Sequence, residues 1–214
     1  MRTLTRQLAT LTIAVAVGGC GSTSGRTTVE SHGSVAPSST AAFREAMRKL
    51  WSDHVVWTRQ YIVAAVANDP SAQAAATRLL KNQEDIGSAI APYYGADAGK
   101  KLTDLLKQHI TIAVDLVTAA KANDATKQAD ADKRWSANAV DIATFLSGAN
   151  PNWPKQTLVD MLNEHLSLTK QEAVARLQGK WDEDVATFDK IYAQAMMMAD
   201  ALSEGIIKQH ATMF

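Results

Sequence analysis

The pentapeptide LWSDH at residues 50–54 returns twice along the chain in altered form, as LLKQH at 105–109 and as MLNEH at 161–165. The histidines that end these three segments are 55 and 56 residues apart. A recurrence at a nearly fixed period is typical of proteins that repeat one structural unit. The chain is therefore predicted to contain three copies of such a unit.

A second stretch follows the same period. The segment RLLKNQEDI at 78–86 aligns with RWSANAVDI at 134–142, at an offset of 56 residues. In the third copy, at 190–198, Gln194 replaces the asparagine and Met197 replaces the aspartate. The predicted copies span about residues 44–98, 99–154 and 155–210.

Each copy has the composition and the spacing of helices. From Thr40 onward the chain is rich in strong helix formers, and apolar residues recur at steps of three and four. His54 lies on such a stripe, together with Leu50, Trp57 and Tyr61. Turn-forming residues interrupt the pattern at residues 68–71, 92–95, 122–125, 150–154 and 178–180.

Five interruptions predict six helices of roughly 20 to 28 residues, and short connections favour antiparallel neighbours. We therefore expect residues 40–214 to form an all-α domain, a helical bundle made of three antiparallel hairpins.

The hairpins predict which residues face the histidines. Residues at equal distance from a hairpin turn lie at the same level on the two helices, which matches His54 with Asp85 and His109 with Asp141. The third copy has Met197 at the matching position and so lacks the carboxylate. A polar group on an apolar helix face needs a partner, so we expect a buried histidine bonded to an aspartate in each of the first two hairpins.

The same positions also fit a metal site, the alternative interpretation. Bundles hold divalent ions with imidazoles and carboxylates that project inward from facing helices. Three hairpins around a threefold axis would bring the three histidines together, whereas three hairpins stacked in a row would keep neighbouring histidines about 10 Å apart. The candidate ligands are His54, His109, His165, Asp85 and Asp141. The Glu-x-x-His spacing of di-iron bundles is absent from the sequence.

The N-terminus resembles the signal peptide of a bacterial lipoprotein. Two arginines precede an apolar run at residues 8–17, which is too short to span a membrane as a helix, and the small residues that follow end at Cys20. The resemblance implies cleavage after residue 19 and fatty acylation of Cys20, so that the protein is anchored to the membrane. A plain signal peptide followed by a chance cysteine is the alternative.

Residues 20–39 are rich in glycine, serine and threonine and are expected to form a flexible tether. Removal of residues 1–19 takes away two arginines and leaves 20 basic against 22 acidic side chains. A slightly acidic protein without a basic surplus is not expected to bind nucleic acid. Because Cys20 is the sole cysteine, neither disulfides nor cysteine-bound metals are expected.

Several segments together resemble an uncharacterised family of bacterial helical proteins, many of them exported. They are LLKNQEDIG, PYYG, LLKQH, WSANAVDIA, NPNWP and MLNEHLSLT, within about residues 44–209. The resemblance implies no established activity. The sequence also contains no nucleophile elbow and no glycine-rich phosphate loop, so an enzyme is not favoured.

The sequence thus predicts a lipid-anchored protein on the exported side of the cell envelope, with a helical domain that binds a small ligand or a protein partner. It does not distinguish the inner from the outer membrane. The alternative is a metal-binding protein or metalloenzyme that uses the histidine and aspartate positions, with a divalent metal as its cofactor.

Overall fold

The computed structural model describes residues 39–214, and six α-helices make up nearly all of this part of the chain. The helices are α1 (Ser39–Val66), α2 (Ser71–Tyr94), α3 (Ala96–Lys121), α4 (Ala125–Ala149), α5 (Lys155–Leu177) and α6 (Trp181–Gln209). A short 3-10 turn, Ala211–Met213, follows α6. No strand occurs in residues 39–214, so the predicted all-α bundle is confirmed.

The predicted signal peptide, Cys20 and the tether up to residue 38 lie outside the described residues. Helix α1 begins at Ser39, one residue before the predicted start of the helical domain. None of the helices within 39–214 combines the length and the hydrophobicity that crossing a membrane requires.

One turn geometry joins α1 to α2, α3 to α4 and α5 to α6. A residue with positive φ follows the first helix in each case: Asn68 at 57°, Asn123 at 54° and Gly179 at 69°. The N–H of the next residue donates to the carbonyl five positions earlier, as in the bond from Asp69 to Ala64. This is the Schellman pattern, in which glycine or asparagine takes the left-handed conformation at little cost. All three turns fall at predicted breaks.

The other two connections differ from these turns and from each other. The predicted break at 92–95 is shorter than expected, because α2 continues through Pro92 and only Gly95 separates it from α3. Gly95 has φ 87° and ψ 161°, a conformation that only glycine adopts readily. Between α4 and α5, Trp153 is buried and packs directly against Gly205 of α6.

The six helices form a ring in which sequence neighbours are antiparallel. Each helix packs on the one before it and the one after it, and α1 closes the ring on α6. Helices α1, α3 and α5 also contact one another across the middle. These three inner helices carry the three histidines of the repeated segments.

An apolar core fills the half of the bundle nearer to Gly95 and Trp153. It is built from the first halves of α1, α3 and α5 and the second halves of α2, α4 and α6. Its buried side chains include Met47, Trp51, Ile86, Ile90, Leu102, Leu106, Ile142, Leu146, Leu158, Leu162, Met198, Leu202 and Ile206. Close helix contacts complete this half, since Gly87 of α2 lies directly against Gly99 of α3.

Candidate functional site

Three buried histidines lie in the middle of the bundle, one on each inner helix. His54, His109 and His165 are only 3%, 4% and 5% exposed. The ring centroids of His54 and His165 are 5.6 Å apart, and all three side chains line the same cavity. We refer to these three residues as the histidine layer.

An amide side chain on the next helix binds His109. The Nδ1 atom of His109 lies 2.8 Å from Oδ1 of Asn138 on α4. The amide nitrogen of Asn138 donates to the backbone carbonyl of Leu105, one helical turn before the histidine, at 3.1 Å. Asn138 thus holds both the imidazole ring and the helix that carries it.

The third hairpin shows the same arrangement with a longer side chain. The Nδ1 atom of His165 lies 3.2 Å from Oε1 of Gln194, whose nitrogen donates to the carbonyl of Met161 at 2.9 Å. Met161 precedes His165 by four residues, as Leu105 precedes His109.

The first hairpin divides the two contacts between adjacent residues. Asn82 donates to the carbonyl of Leu50 at 2.9 Å, whereas Nε2 of Gln83 approaches Nδ1 of His54 at 3.2 Å. The same Gln83 nitrogen also faces the carbonyl of Leu79 at 2.8 Å and Oδ1 of Asn82 at 3.1 Å, so its two hydrogens are shared among three acceptors. The partner of His54 is therefore an N–H group, in contrast to the amide oxygens that face the other two histidines.

The amide contacts determine the tautomer of each ring. Because an amide oxygen can only accept, His109 and His165 carry their proton on Nδ1 and leave Nε2 with a free lone pair. His54 accepts a bond at Nδ1, so its proton lies on Nε2. Within residues 39–214 none of the three Nε2 atoms has a hydrogen-bond partner.

Burial keeps the three imidazoles uncharged. Loss of solvation lowers the pKa of His109 to about 3 and the pKa of His165 to about 4. The pKa of His54 is also lowered well below its ordinary value, first by burial and then by the proximity of His165 and His109. The layer is therefore neutral at physiological pH.

A cavity of about 380 Å³ extends from one side of the histidine layer. It lies between the second halves of α1, α3 and α5, and the first half of α4 borders it. Its walls are mainly apolar, and small residues leave much of its space open. The apolar residues of the walls include Ile62, Leu79, Ile110, Ala113, Val117, Ala120, Ala129 and Ala173.

Polar side chains border this cavity at the edge between α4 and α5. Asp132 of α4 and Lys170 of α5 form an ion pair there, with 2.7 Å between Oδ1 and Nζ, and both side chains are partly exposed. On the other side of the histidine layer, the space among the core side chains amounts to about 40 Å³. The layer therefore separates a packed apolar core from a roomy cavity.

The predicted pairs of histidine and aspartate are wrong. Asp141 is exposed, and Asp85 is half-buried in ion pairs with Arg78 and Lys81. Met197, the matching position in the predicted third copy, is 60% exposed.

The physical reason is the register of the turns. Each left-handed turn residue lies midway between the histidine and its amide partner, as Asn123 does between His109 and Asn138. The turns are thus centred slightly earlier than the sequence argument assumed. The level opposite each histidine falls two or three residues before the aspartate position.

The proposed set of metal ligands is brought together only in part. His54, His109 and His165 line one cavity, but Asp85 and Asp141 do not. In the part of the chain that the structure describes, no group of three or more histidine, cysteine, aspartate or glutamate side chains is arranged to hold a metal ion.

A buried ion cluster near the cavity was not predicted. Arg59 of α1 binds Glu172 of α5 and Asp184 of α6, and both carboxylates are only 1% exposed. Arg176 also contacts Asp184, at 3.1 Å. Burial raises the pKa of Glu172 to about 7, although Arg59 acts in the opposite direction. One signal was available, because Glu172 lies on the same helix face as His165.

No family model matches the sequence, and neither the curated proteins nor the solved structures contain a match. The resemblance to an uncharacterised family of bacterial helical proteins stays a prediction.

Proposed function

We propose that the helical domain is a binding module for a small, largely apolar molecule that occupies the cavity beside the histidine layer. The volume of about 380 Å³ falls in the range of small-molecule sites, which are mostly apolar and contain a few polar groups. The observation that carries the proposal is that three buried histidines line this one cavity and that their Nε2 atoms have no hydrogen-bond partner in residues 39–214. Buried polar atoms are costly unless water or a ligand pairs with them.

We also infer that the three hairpins are copies of one unit. Their turns share a left-handed residue and a Schellman hydrogen bond. In each hairpin an amide side chain donates to the carbonyl four residues before the histidine. Copies arranged around a common axis place equivalent residues at one level, which explains why three histidines surround the end of one cavity.

The binding proposal can be tested with phenol and toluene as probes and a variant that fills the cavity. Ala113 lines the cavity, and Ala137 of α4 is an exposed control that does not. We expect chemical-shift titrations to show saturable binding of at least one probe to the wild-type protein and to Ala137→Leu. Binding to Ala113→Leu should be lost. If neither probe binds the wild-type protein, or if Ala113→Leu binds both unchanged, the proposal fails.

A divalent metal ion is the second candidate ligand. His109 and His165 each direct Nδ1–H at an amide oxygen, which is how outer partners orient a histidine that binds metal through Nε2. The aspartates proposed as further ligands lie elsewhere, so the apolar ligand is the better supported choice. Stoichiometric zinc, copper or iron in elemental analysis of the purified protein would reverse this ranking.

We propose further that the protein is exported and anchored to the membrane through acylated Cys20, with no nucleic acid among its partners. The support is the order of positive charge, short apolar run, small residues and cysteine at residues 1–20. Two or more acyl chains would provide stable anchoring. The variant Cys20→Ser should lose labelling by radioactive palmitate and leave the membrane fraction. Labelling that persists in this variant would refute the anchor.

A further inference from the structure

We propose that the cavity selects an uncharged hydroxylated molecule, with its hydroxyl group beside the rings of His54 and His165 and its hydrocarbon part along the apolar walls. This inference rests on the proposed binding function and names the chemical class of the ligand.

The hydrogen-bonding pattern of the histidine layer carries the inference. His54 offers an N–H group at Nε2, and His165 offers a lone pair at Nε2, because their Nδ1 atoms face a donor and an acceptor respectively. The two rings are neighbours, with centroids 5.6 Å apart. A hydroxyl group can accept a bond from His54 and donate its own proton to His165. His109 presents a second lone pair to the cavity.

Charged ligands do not fit this pattern. A carboxylate can only accept, so it would meet the lone pairs of His109 and His165 with no proton between them. An ammonium group can only donate and would face the N–H of His54. The one carboxylate along the cavity wall, Asp132, is already paired with Lys170, at the edge between α4 and α5. The site therefore offers no compensation for a buried charge.

The walls indicate the rest of the ligand. The cavity is bordered by Ile62, Leu79 and Ile110, which are 1%, 2% and 3% exposed to solvent. Hydrocarbon buried against these side chains would supply the main part of the binding free energy. The hydroxyl group would supply the selectivity, because a buried site built to pair with a hydroxyl rejects an analogue that lacks it.

Phenol, toluene and benzoate provide a matched test, since they share an aromatic ring and differ in the polar group. The full-length protein is titrated with each probe at pH 7.5, and dissociation constants are taken from chemical shifts. We expect the wild-type protein to bind phenol at least about tenfold more tightly than toluene or benzoate. In His54→Phe and His165→Phe the preference for phenol over toluene should disappear while toluene still binds. His210→Phe is the control, because His210 does not line the cavity.

The outcomes separate this inference from the proposed function. The hydroxyl inference would be overturned if toluene or benzoate bound the wild-type protein as tightly as phenol does. It would also be overturned if His54→Phe and His165→Phe both kept the preference for phenol over toluene. Either result would leave the proposed binding cavity intact. Absence of binding by all three probes would overturn both. If His54→Phe or His165→Phe does not fold, a measurement on the wild-type protein still tests the inference. Phenol should shift the Nε2 resonances of His54 and His165 more than toluene does, and equal shifts would count against the inference.

Discussion

At the scale of single residues, Asn138 holds His109 of the histidine layer in place. It accepts from His109 and donates to the carbonyl of Leu105 and to Gln108. The variant Asn138→Ala should leave the buried His109 N–H without a partner and lower the free energy of unfolding by about 1 to 3 kcal/mol. Urea denaturation measures this change.

Asp141→Ala is the matched control on the same helix. Asp141 is exposed, so its replacement should change the free energy of unfolding by no more than about 0.5 kcal/mol. An Asp141 variant that is as unstable as the Asn138 variant would instead favour the original pairing of histidine with aspartate.

The depressed histidine pKa values predict sensitivity to acid. Below the ordinary value of 6.5, the unfolded chain binds protons at three histidines, whereas folded His165 and His109 take them up only near pH 4 and 3. Stability contributed by the neutral rings is therefore lost as the pH falls below 6.5. Glu172 acts in the opposite direction, because its pKa near 7 makes the folded state bind a proton first.

Near pH 5.5 the unfolded chain binds about two more protons than the folded protein. The free energy of unfolding should therefore fall by about 2 to 3 kcal/mol for each unit by which the pH is lowered there. Urea denaturation between pH 5 and 7 measures the slope, and His165→Phe should reduce it. A free energy that is constant over this range would contradict the description of the histidines as buried and neutral.

The histidines could be found from the sequence, but their partners could not be chosen correctly. The period identified the three histidines and also aligned Asn82, Asn138 and Gln194 as equivalent positions. Asn138 and Gln194 contact their histidines, whereas His54 contacts Gln83, the neighbour of Asn82. To choose between these amides and the nearby aspartates, the centre of each turn had to be located to within one residue. That centre depends on which residue adopts positive φ, and an error of one residue there moves the opposite level by two.

At the scale of helices, α2 and α3 approach each other closely because Gly87 and Gly99 lie at their contact. A Cβ atom on Gly87 would lie 2.5 Å from the backbone oxygen of Gly99 and would also overlap Thr103. Gly87→Ala should therefore force the helices apart and lower the free energy of unfolding by about 1 to 3 kcal/mol. Thermal and urea denaturation measure the loss.

Gly148 provides the opposite case, since a Cβ atom there would meet nothing within 4 Å. Gly148→Ala, near the end of α4, should stabilise the protein by up to about 1 kcal/mol, because alanine is the better helix former. Equal effects at Gly87 and Gly148 would show that the close contact of α2 with α3 is not present in solution.

Helix boundaries could be predicted where turn chemistry is strong. Asn68, Asn123 and Gly179 all lie in predicted breaks and end their helices by the same motif. The break at 92–95 was placed too early, because Pro92 lies in the last turn of α2 and the helix ends only two residues later. Close helix approach at Gly87 was not predicted, since it depends on which faces of α2 and α3 meet.

At the scale of the whole molecule, one half of the bundle is filled and the other contains the cavity. The filled half uses large side chains such as Trp51 and Trp153. The half with the cavity has alanines at facing positions of α3, α4 and α5, among them Ala113, Ala129 and Ala173. Alanine is an ordinary helix former, so its abundance in the sequence predicted helices and gave no sign of a cavity. The cavity follows only from the way the three inner helices face each other.

The tautomers of the histidine layer test the central claim most directly, and two-dimensional NMR of the ring nitrogens in the ligand-free protein at pH 7.5 reports them. We predict neutral rings with the proton on Nδ1 in His109 and His165 and on Nε2 in His54, and a shift of the layer's Nε2 resonances when phenol is added. A buried histidine layer that faces a ligand cavity would be contradicted by charged rings or by tautomers that exchange rapidly, as they do in water. It would also be contradicted if the Nε2 resonances did not shift with any probe that binds.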